Sequence, residues 1–336
     1  MKKVLIIRFS SIGDIVLTTP VIRTLKTQLE GVEVHYCTKK GYKGILEHNP
    51  YVDKLHLFDG DLGELVKQLK DEKFDFVVDL HNNLRTSIIK TRLGVKSKAF
   101  NKLNWEKWLY VNMKIDKMPN VHIVDRYMEA VKPLGVKMDA LGLDYFIPEK
   151  DEVELTWLPE SHREKYVVYA IGGQHATKQL PFEKMVELCD KIQQPIMLLG
   201  GPEDKELGDK IVAFFDQTKG DPSYNEGLEK LKKNKLVFNG CGKFNLNQSA
   251  SVVKQAYAVF THDTGMMHIA AAFKKNIYSI WGNTTPQLGM YPYRTQFTVF
   301  ENTKLDCRPC SKIGYSKCPK GHFKCMNDQQ FDFYLP

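Results

Sequence analysis

The sequence predicts an α/β protein with two doubly wound lobes that face each other across a central cleft. Short apolar runs of strand length alternate with amphipathic runs of helical length, which is typical of parallel sheets covered by helices on both faces. The alternation pauses near the middle of the chain and then starts again. The chain also has 336 residues, more than one domain usually needs, so two lobes are expected.

Each half of the chain supplies its own set of strands and helices. In the first half we predict strands over residues 4–9, 32–37 and 76–80, and helices over residues 15–29 and 62–70. In the second half we predict strands over residues 166–171, 195–199, 236–238, 257–261 and 277–281, and helices over residues 182–191, 246–255 and 263–272.

A segment rich in charge separates the two halves. It covers residues 139–164 and contains Pro148, Pro159 and the charged run 149–154. We therefore expect an N-terminal lobe over residues 1–150, a C-terminal lobe over residues 160–305 and a cysteine-rich tail over residues 306–336. Ligands of such lobes bind in the loops that follow the carboxyl ends of the strands.

The composition restricts the class of partner and the compartment. A net charge of +8 favours an anionic partner, although a basic surface that serves only solubility explains it equally. The lysines are spread along the chain, without the compact basic block of a nucleic-acid-binding arm. The start MKKVLIIRFSSIGDIVL resembles a signal peptide, but Arg8 interrupts its apolar run and no cleavage site follows. No stretch approaches about 18 apolar residues, so we expect a cytoplasmic protein without a transmembrane helix.

The loop after the first predicted strand carries a carboxylate near a helix start. It runs from Arg8 to Asp14 and contains Ser11 and Gly13. It has neither the G-x-G-x-x-G of dinucleotide-binding dehydrogenases nor the lysine of a Walker A loop. Asp14 has two interpretations, as a helix-capping carboxylate or as a general base aimed into the cleft. The second suits a carboxylate whose pKa is raised toward neutrality by burial.

Two glycine loops follow strands of the second half. Gly172-Gly173-Gln174 precedes Lys178, and glycine lets a ligand approach backbone amides closely. Lys178 is either a solvated surface lysine or a point charge for a phosphate. The next strand ends in a glycine turn before Asp204, which either starts a helix or bonds ribose hydroxyls.

The run from residue 258 to residue 272 joins a buried strand to a helix start made of small residues. Free amides and the positive dipole end at such a start bind a diphosphate. Asp263 could hold sugar hydroxyls, and His268 lies about one turn inside the helix. Helix capping explains Asp263 and Thr264 but gives no reason for the whole run.

The seven cysteines divide into two groups. Three of them lie in apolar surroundings and are expected to be small buried hydrophobic residues: Cys37, Cys189 and Cys241. The other four lie close together in the tail, near His322: Cys307, Cys310, Cys318 and Cys325. They are interpreted as structural zinc ligands, as free or redox-sensitive thiols, or as disulfides. The C-x-x-C pair favours zinc, but the C-x6-C spacing that follows it matches a zinc ribbon imperfectly.

Six segments taken in order resemble glycosyltransferase family nine, the bacterial lipopolysaccharide heptosyltransferases. They are KVLIIRFSSIGDIVLTTP, FDFVVDLHNNLRTS, YAIGGQHATKQLPFEKMVELCDK, IMLLGGPEDKE, THDTGMMHIAAAF and IWGNTTP. The resemblance implies a GT-B fold whose C-terminal segment crosses back, and an inverting transfer that needs no catalytic metal or cofactor. It implies an ADP-heptose donor, a lipid-linked Kdo or heptose acceptor, and peripheral contact with the inner face of the inner membrane.

The resemblance also implies roles for residues of this chain. Asp14 matches the base that takes the acceptor's proton, and Lys178 matches the lysine that stabilises the departing diphosphate. The positions expected to bind the donor are Gly172, Gly173, Gln174, Lys178, Asp204, Asp263, Thr264, Gly265, Met266 and His268. The positions expected to bind the acceptor are Arg8, Ser11, Gly13 and Arg85.

The chain departs from the family pattern at two places in the donor loop. Leu180 stands where the family commonly has tryptophan, and Gly173-Gln174 stands where hydroxyl residues are frequent. Both departures bear on the identity of the nucleotide sugar. The alternatives are a nucleotide-sugar 2-epimerase, a sugar-nucleotide sensor without activity, and a basic nucleic-acid-binding protein with a zinc-like tail. Neither a helix-turn-helix nor aromatic-basic interleaving supports the last of these.

Overall fold

The computed structural model describes residues 3–216 and 235–335. The first half of the chain forms a five-stranded parallel sheet in the order β3-β2-β1-β4-β5, with the first strand at its centre. Its strands are β1 Lys3–Ile7, β2 Glu33–Lys39, β3 Lys54–Phe58, β4 Phe76–Asp79 and β5 Lys96–Ala99. Its helices are α1 Ile12–Val16, α2 Thr19–Gln28, α3 Leu62–Asp71, α4 Leu84–Leu93, α5 Asn104–Trp108 and α6 Ile123–Met128, with a π-helical turn at Leu109–Met113.

The second half forms a six-stranded parallel sheet in the order β11-β10-β9-β6-β7-β8. Its strands are β6 Val167–Ala170, β7 Ile196–Leu199, β8 Val237–Asn239, β9 Ala258–His262, β10 Asn276–Trp281 and β11 Phe297–Glu301. Its helices are α7 Phe182–Lys191, α8 Lys205–Phe215, α9 Leu246–Gln255, α10 Gly265–Ala272 and, in the tail, α11 Lys324–Asn327. The predicted α/β class with two doubly wound lobes is therefore confirmed.

The predicted helix over residues 15–29 is wrong as a single element. It is two helices, α1 and α2, separated at Leu17 and Thr18. Pro20 lies in the first turn of α2, where its missing amide hydrogen costs nothing. Continued helix through this point would bring its ring against the carbonyl of Val16, so the chain must restart there.

The two lobes share one apolar cluster. It contains β1 residues such as Val4 and Ile6 together with second-sheet residues such as Val168 and Val259.

The segment predicted as a linker is packed into the same cluster through Leu143, Tyr145, Val153 and Leu158. It also pairs with α2, because the guanidinium of Arg23 contacts the carboxylates of Asp139 and Asp144. The segment that connects the lobes is therefore packed against both of them and is not a free linker.

The three scattered cysteines are fully buried, which confirms that prediction: Cys37, Cys189 and Cys241. Among the described residues, no helix combines the length and the apolar character that a bilayer crossing requires.

Candidate active site

The start of α1 in the first lobe touches the start of α10 in the second. A methyl group on Gly13 would lie 2.5 Å from Cδ2 of His268 and 3.2 Å from Cα of Gly265. A methyl group on Gly265 would lie 2.9 Å from Cβ of Ile12. Only bare backbone fits at both positions, so the two helix starts meet directly. The loop after β1 and the loop after β9 thereby face the same space between the sheets.

Asp14 is held from two directions. Its Oδ1 lies 2.7 Å from Nη2 of Arg8, and its Oδ2 accepts hydrogen bonds from the amide and the hydroxyl of Ser11 at 3.1 and 2.9 Å. Burial would raise the pKa of Asp14, but the Arg8 charge and the Ser11 hydrogen bonds outweigh it and lower the pKa. The expectation of a pKa raised toward neutrality is wrong for this reason. Asp14 caps α1 and is also ionised at neutral pH.

Hydrogen bonds within the first lobe fix the orientation of the Arg8 side chain. Its Nε donates to the carbonyl of Ser10 at 2.8 Å, and its Nη1 donates to the carbonyl of Leu80 at 2.6 Å and to the hydroxyl of Tyr127 at 3.1 Å. The side chain is almost completely buried. In the structure Arg8 orients Asp14, while its predicted contact with an acceptor stays a prediction.

Lys178 forms a partly buried network with the loop after β9. Its Nζ donates to Oδ2 of Asp263 at 2.6 Å and to the carbonyl of the same residue at 3.2 Å. The hydroxyl of Thr284, in the loop after β10, donates to the same Oδ2 at 2.8 Å. Three post-strand loops of the second lobe thus converge at one carboxylate. A bound diphosphate would share Lys178 with it.

The start of α10 is open toward this network. In the described structure the side chain of Thr264 makes no capping hydrogen bond to the helix. A methyl group on Gly173 would lie 3.4 Å from Cγ2 of Thr264, so the glycine loop borders the helix start. Burial lowers the pKa of His268 to about 4, which makes its ring neutral at physiological pH. Its Nδ1 is buried without a hydrogen-bond partner among the described residues.

Asp204 braces the glycine loops. Its Oδ2 accepts from the amide of Gly201 at 2.9 Å, and a methyl group on Gly172 would lie 2.3 Å from the same oxygen. Burial raises the pKa of Asp204. This contact, at the residue that precedes α8, favours the interpretation of Asp204 as a helix start, and the ribose contact stays a prediction.

The remaining predicted positions lie around the same rim with less contact. Gln174 and Ser11 are exposed, and Met266 is half-buried in the first turn of α10. Arg85 is exposed at the start of α4, with its guanidinium carbon 5.9 Å from the ring centre of Phe58. These roles stay predictions.

Four cations that the sequence analysis missed lie near one another, and two of them, Lys102 and Lys107, interact with the charge of Asp14. Burial, followed by the charges of Arg126 and Lys312, lowers the pKa of Lys107 to about 8. Burial, followed by the charges of Arg8 and Lys312, lowers the pKa of Lys102. Arg126 is buried, and its Nε and Nη1 have no hydrogen-bond partner among the described residues. This concentration of incompletely paired positive charge fits an anionic ligand.

The tail holds the loops of the second lobe. Arg308 donates to the carbonyls of Gly282 and Thr284 at 2.5 and 3.0 Å. The amide of Tyr315 donates to the hydroxyl of Thr177 at 2.8 Å, next to Lys178. From the first lobe, Lys114 donates to the carbonyl of Pro309 at 2.6 Å. The tail therefore contacts both lobes and fixes two of the loops that meet at Asp263.

The tail cysteines are free thiols in the described structure. Cys307 Sγ lies 3.8 Å from Nε2 of His322, and Cys310 Sγ donates to the carbonyl of Cys307 at 3.0 Å. The charges of Cys307 and Cys318 act on Cys310, so the thiols lie near one another. Zinc at these residues stays a prediction.

Comparison with known proteins gives a consistent result. The family model described as glycosyltransferase family 9 (heptosyltransferase) matches residues 62–320. Lipopolysaccharide heptosyltransferase 1 of Campylobacter coli is 22% identical over 325 residues, covering 90% of this chain and 89% of that protein. The lipopolysaccharide core heptosyltransferase OpsX of Haemophilus influenzae is 23% identical and covers 91% of this chain and 83% of its own length.

Solved structures show the same fold. The ADP-heptose lipopolysaccharide heptosyltransferase II of E. coli superposes with a TM-score of 0.67 at 17% identity, covering 98% of both chains. The E. coli heptosyltransferase WaaC with ADP gives a TM-score of 0.61 at 21% identity, covering 88% of this chain and 93% of its own. The two facing lobes are those of the GT-B fold. The matched span includes Lys178 and the whole of α10, and the chain belongs to glycosyltransferase family 9 and is a glycosyltransferase.

Proposed function

We propose that the protein transfers a heptose from ADP-heptose to the inner core of lipopolysaccharide, with inversion at the anomeric carbon. The observation that carries this proposal is the contact between Gly13 and the start of α10. Through it, the Asp14 carboxylate of one lobe and the Lys178 network of the other face a common space. Heptosyltransferases that act on lipopolysaccharide are prominent among the relatives of the chain.

The donor binds at the second lobe. The uncapped start of α10 presents amide groups and the positive end of the helix dipole to the diphosphate. Lys178 adds a positive charge 2.6 Å from the carboxylate of Asp263, the group that would contact the sugar hydroxyls. Structures of E. coli WaaC with ADP and with ADP-2-deoxy-2-fluoro heptose support an adenine nucleotide sugar as the donor class.

The transfer step divides between the lobes. Asp14 accepts the proton of an acceptor hydroxyl while that oxygen attacks the anomeric carbon on the face opposite the nucleotide. The bond from this carbon to the diphosphate oxygen breaks, and Lys178 and the α10 amides stabilise the negative charge that develops there. The lowered pKa of Asp14 keeps it in the base form, although it makes the carboxylate a weak base. Its contribution therefore depends on the position that Arg8 and Ser11 give it.

The acceptor binds beside Asp14, where Lys102, Lys107, Arg126 and Lys312 concentrate positive charge. A sugar acid or a phosphate of the inner core would supply partners for the unpaired nitrogens of Arg126. Arginine is suited to such carboxylate and phosphate groups because its planar fork donates two parallel hydrogen bonds.

The surface near α5 supports peripheral attachment to the inner face of a membrane. Trp105 and Trp108 are 65% and 47% exposed and stack with ring centres 5.3 Å apart, and Met113 is 55% exposed in the following turn. Exposed tryptophans beside lysines are typical of protein surfaces that enter the headgroup region of anionic bilayers. A lipid-linked acceptor would then approach the cations beside Asp14 from this side.

A thermal-shift comparison of nucleotides tests the donor assignment. ADP and ADP-heptose should raise the melting temperature more than the corresponding uridine and guanosine nucleotides. Preference for uridine or guanosine nucleotides would refute the adenine assignment. Incubation with ADP-heptose alone separates the transferase from a 2-epimerase, because isomerisation of the sugar without an acceptor would refute transfer as the primary reaction.

A further inference from the structure

A second cluster of chemically active side chains lies in the first lobe, toward the ends of the strands opposite Asp14. His35 of β2 and His56 of β3 are 2% and 5% exposed, and Glu72 directly follows α3. One nitrogen of each imidazole and one oxygen of the carboxylate lie within 4.8 Å of one another. We propose that His35, His56 and Glu72 form a site for a divalent transition metal of the zinc class.

The distances suit this class of ion. His35 Nδ1 lies 3.0 Å from Nε2 of His56 and 3.9 Å from Oε2 of Glu72. Zinc bonds of roughly 2.0–2.2 Å place tetrahedral ligand atoms about 3.3 Å apart, so small shifts of the side chains complete the arrangement. Two imidazoles and one carboxylate leave a fourth position for water, and this donor set favours zinc, cobalt, nickel or copper over calcium or magnesium.

The surroundings of His35 prepare it as a ligand. Its Nε2 lies 3.4 Å from Oε2 of Glu33. With the ring proton on Nε2, this carboxylate accepts a hydrogen bond from it, and the lone pair on Nδ1 is directed at the site. A carboxylate behind a metal-binding histidine is the usual means of fixing its orientation and tautomer. The Phe74 ring stands edge-on to both imidazoles, at 5.2 Å from His35 and 5.9 Å from His56. The two rings are therefore held in place before metal binds.

Metal binding replaces contacts that exist without it. Nδ1 of His35 lies 3.0 Å from Nε2 of His56, and because the His35 proton is on Nε2, the His56 Nε2 is the donor in the metal-free protein. When the ion binds, this proton moves to Nδ1 of His56, so both imidazoles remain neutral ligands. Glu72 exchanges part of its pairing with Lys3 Nζ at 3.1 Å and Lys54 Nζ at 2.5 Å for the ion. The two lysines are therefore competitors for the site, and the bound ion ties β2 and β3 to the end of α3.

Titration of the full-length protein with Co²⁺, after treatment with a chelator and its removal, tests the proposal. Visible absorption reports nitrogen and oxygen ligands, whereas thiolate-to-cobalt charge-transfer bands report binding at the tail cysteines. We expect one equivalent of Co²⁺ with visible bands that do not depend on those thiols. His56→Gln should raise the dissociation constant of this equivalent at least about tenfold. His48→Gln, at an exposed turn, is the matched control and should leave it unchanged.

Lys54→Ala gives a test that does not depend on altering a buried residue. The Lys54 side chain is 56% exposed, so its removal should leave the fold intact. Because it removes a competing cation from Glu72, it should lower the Co²⁺ dissociation constant. Absence of the sulfur-independent bands in the wild-type protein, equal affinity in His56→Gln, or unchanged or weaker affinity in Lys54→Ala would each overturn the proposal. These three outcomes are expected if His35, His56 and Glu72 form only a hydrogen-bonded network that binds no metal.

Discussion

At the scale of single residues, the site depends on charges that the fold places beside one another. Asp14 is ionised because Arg8 and Ser11 outweigh the effect of its burial on its pKa. Lys107 is in the opposite situation, because burial and neighbouring cations lower its pKa to about 8. An anionic acceptor would relieve the repulsion around Lys107 and raise this pKa again.

Lys107 gives a prediction for the pH dependence of acceptor binding. The lysine is charged below its pKa and neutral above it, so the KM for an anionic acceptor should rise as the pH increases through about 8. Lys107→Arg should flatten this rise, because arginine stays protonated across the range. Steady-state kinetics with a varied acceptor measures the effect. An identical pH profile in wild type and Lys107→Arg would contradict it.

The sequence could predict those site residues that lie in loops after strands. Asp14, Lys178 and Asp263 each follow a strand that was recognised as an apolar run, and the structure brings the last two together. Lys107 and Lys312 could not be found in this way. They come from a helix of the first lobe and from the tail, and only the three-dimensional packing places their charges near each other and the Lys107 charge near Asp14.

At the scale of elements, burial decided which helices and strands were predicted with the right bounds. The structure confirms the predicted bounds of the helices 182–191 and 246–255. Each has one clearly apolar face, which the sequence pattern shows. The strands β3, β5 and β11 were missed. Each of them is an edge strand of its sheet. The sequence Lys-Ser-Lys-Ala of β5 shows the reason, since three of its four residues are exposed and no apolar run marks it.

The contact between α1 and α10 gives a prediction about Gly13. Gly13→Ala would place a methyl group 2.5 Å from the buried His268 ring, so the ring or the start of α1 must shift. We expect a loss of about 1–3 kcal/mol in the free energy of unfolding, as for other overpacked positions, together with a lower kcat. Gly41→Ala is the control, because a methyl group there meets nothing within 4 Å. Wild-type kcat and stability in Gly13→Ala would show that the lobes do not meet there.

The tail gives a prediction about Arg308. Arg308→Lys keeps the charge but loses the planar donor fork that bonds the carbonyls of Gly282 and Thr284. The loop that carries Thr284 should then hold Asp263 less firmly, and calorimetry should show weaker binding of ADP. The exposed Lys304→Ala serves as the control. Equal ADP affinity in wild type and Arg308→Lys would exclude a positioning role for the tail.

At the scale of the whole molecule, the two lobes act as one unit. They share an apolar cluster, a packed connection and a tail that bonds to both. The sequence predicted two lobes and a cleft, but it treated the connection as a separate linker. Its buried residues are spaced too irregularly among charges and prolines to show a helical or strand period.

The exposed tryptophans give a prediction about membrane attachment. Replacing both Trp105 and Trp108 with serine should weaken binding to anionic phospholipid vesicles by at least about tenfold, because burial of one large apolar side chain contributes roughly 1.5–3 kcal/mol. Vesicle sedimentation measures this loss. Trp157→Ser is the matched control, since Trp157 is 57% exposed but lies in the segment between the lobes. Equal loss in both variants would argue against a specific membrane face near α5.

The central claim is that a carboxylate of one lobe and a lysine of the other serve the same transfer, Asp14 as the base for the acceptor hydroxyl and Lys178 as the charge that binds the donor diphosphate. Single-turnover transfer measured together with donor affinity, in Asp14→Asn and in Lys178→Met, tests it most directly. We predict that Asp14→Asn slows transfer by about 10²–10⁴ with donor affinity retained, whereas Lys178→Met weakens the binding of ADP-heptose. Transfer at the wild-type rate by Asp14→Asn, or wild-type donor affinity in Lys178→Met, would contradict this account.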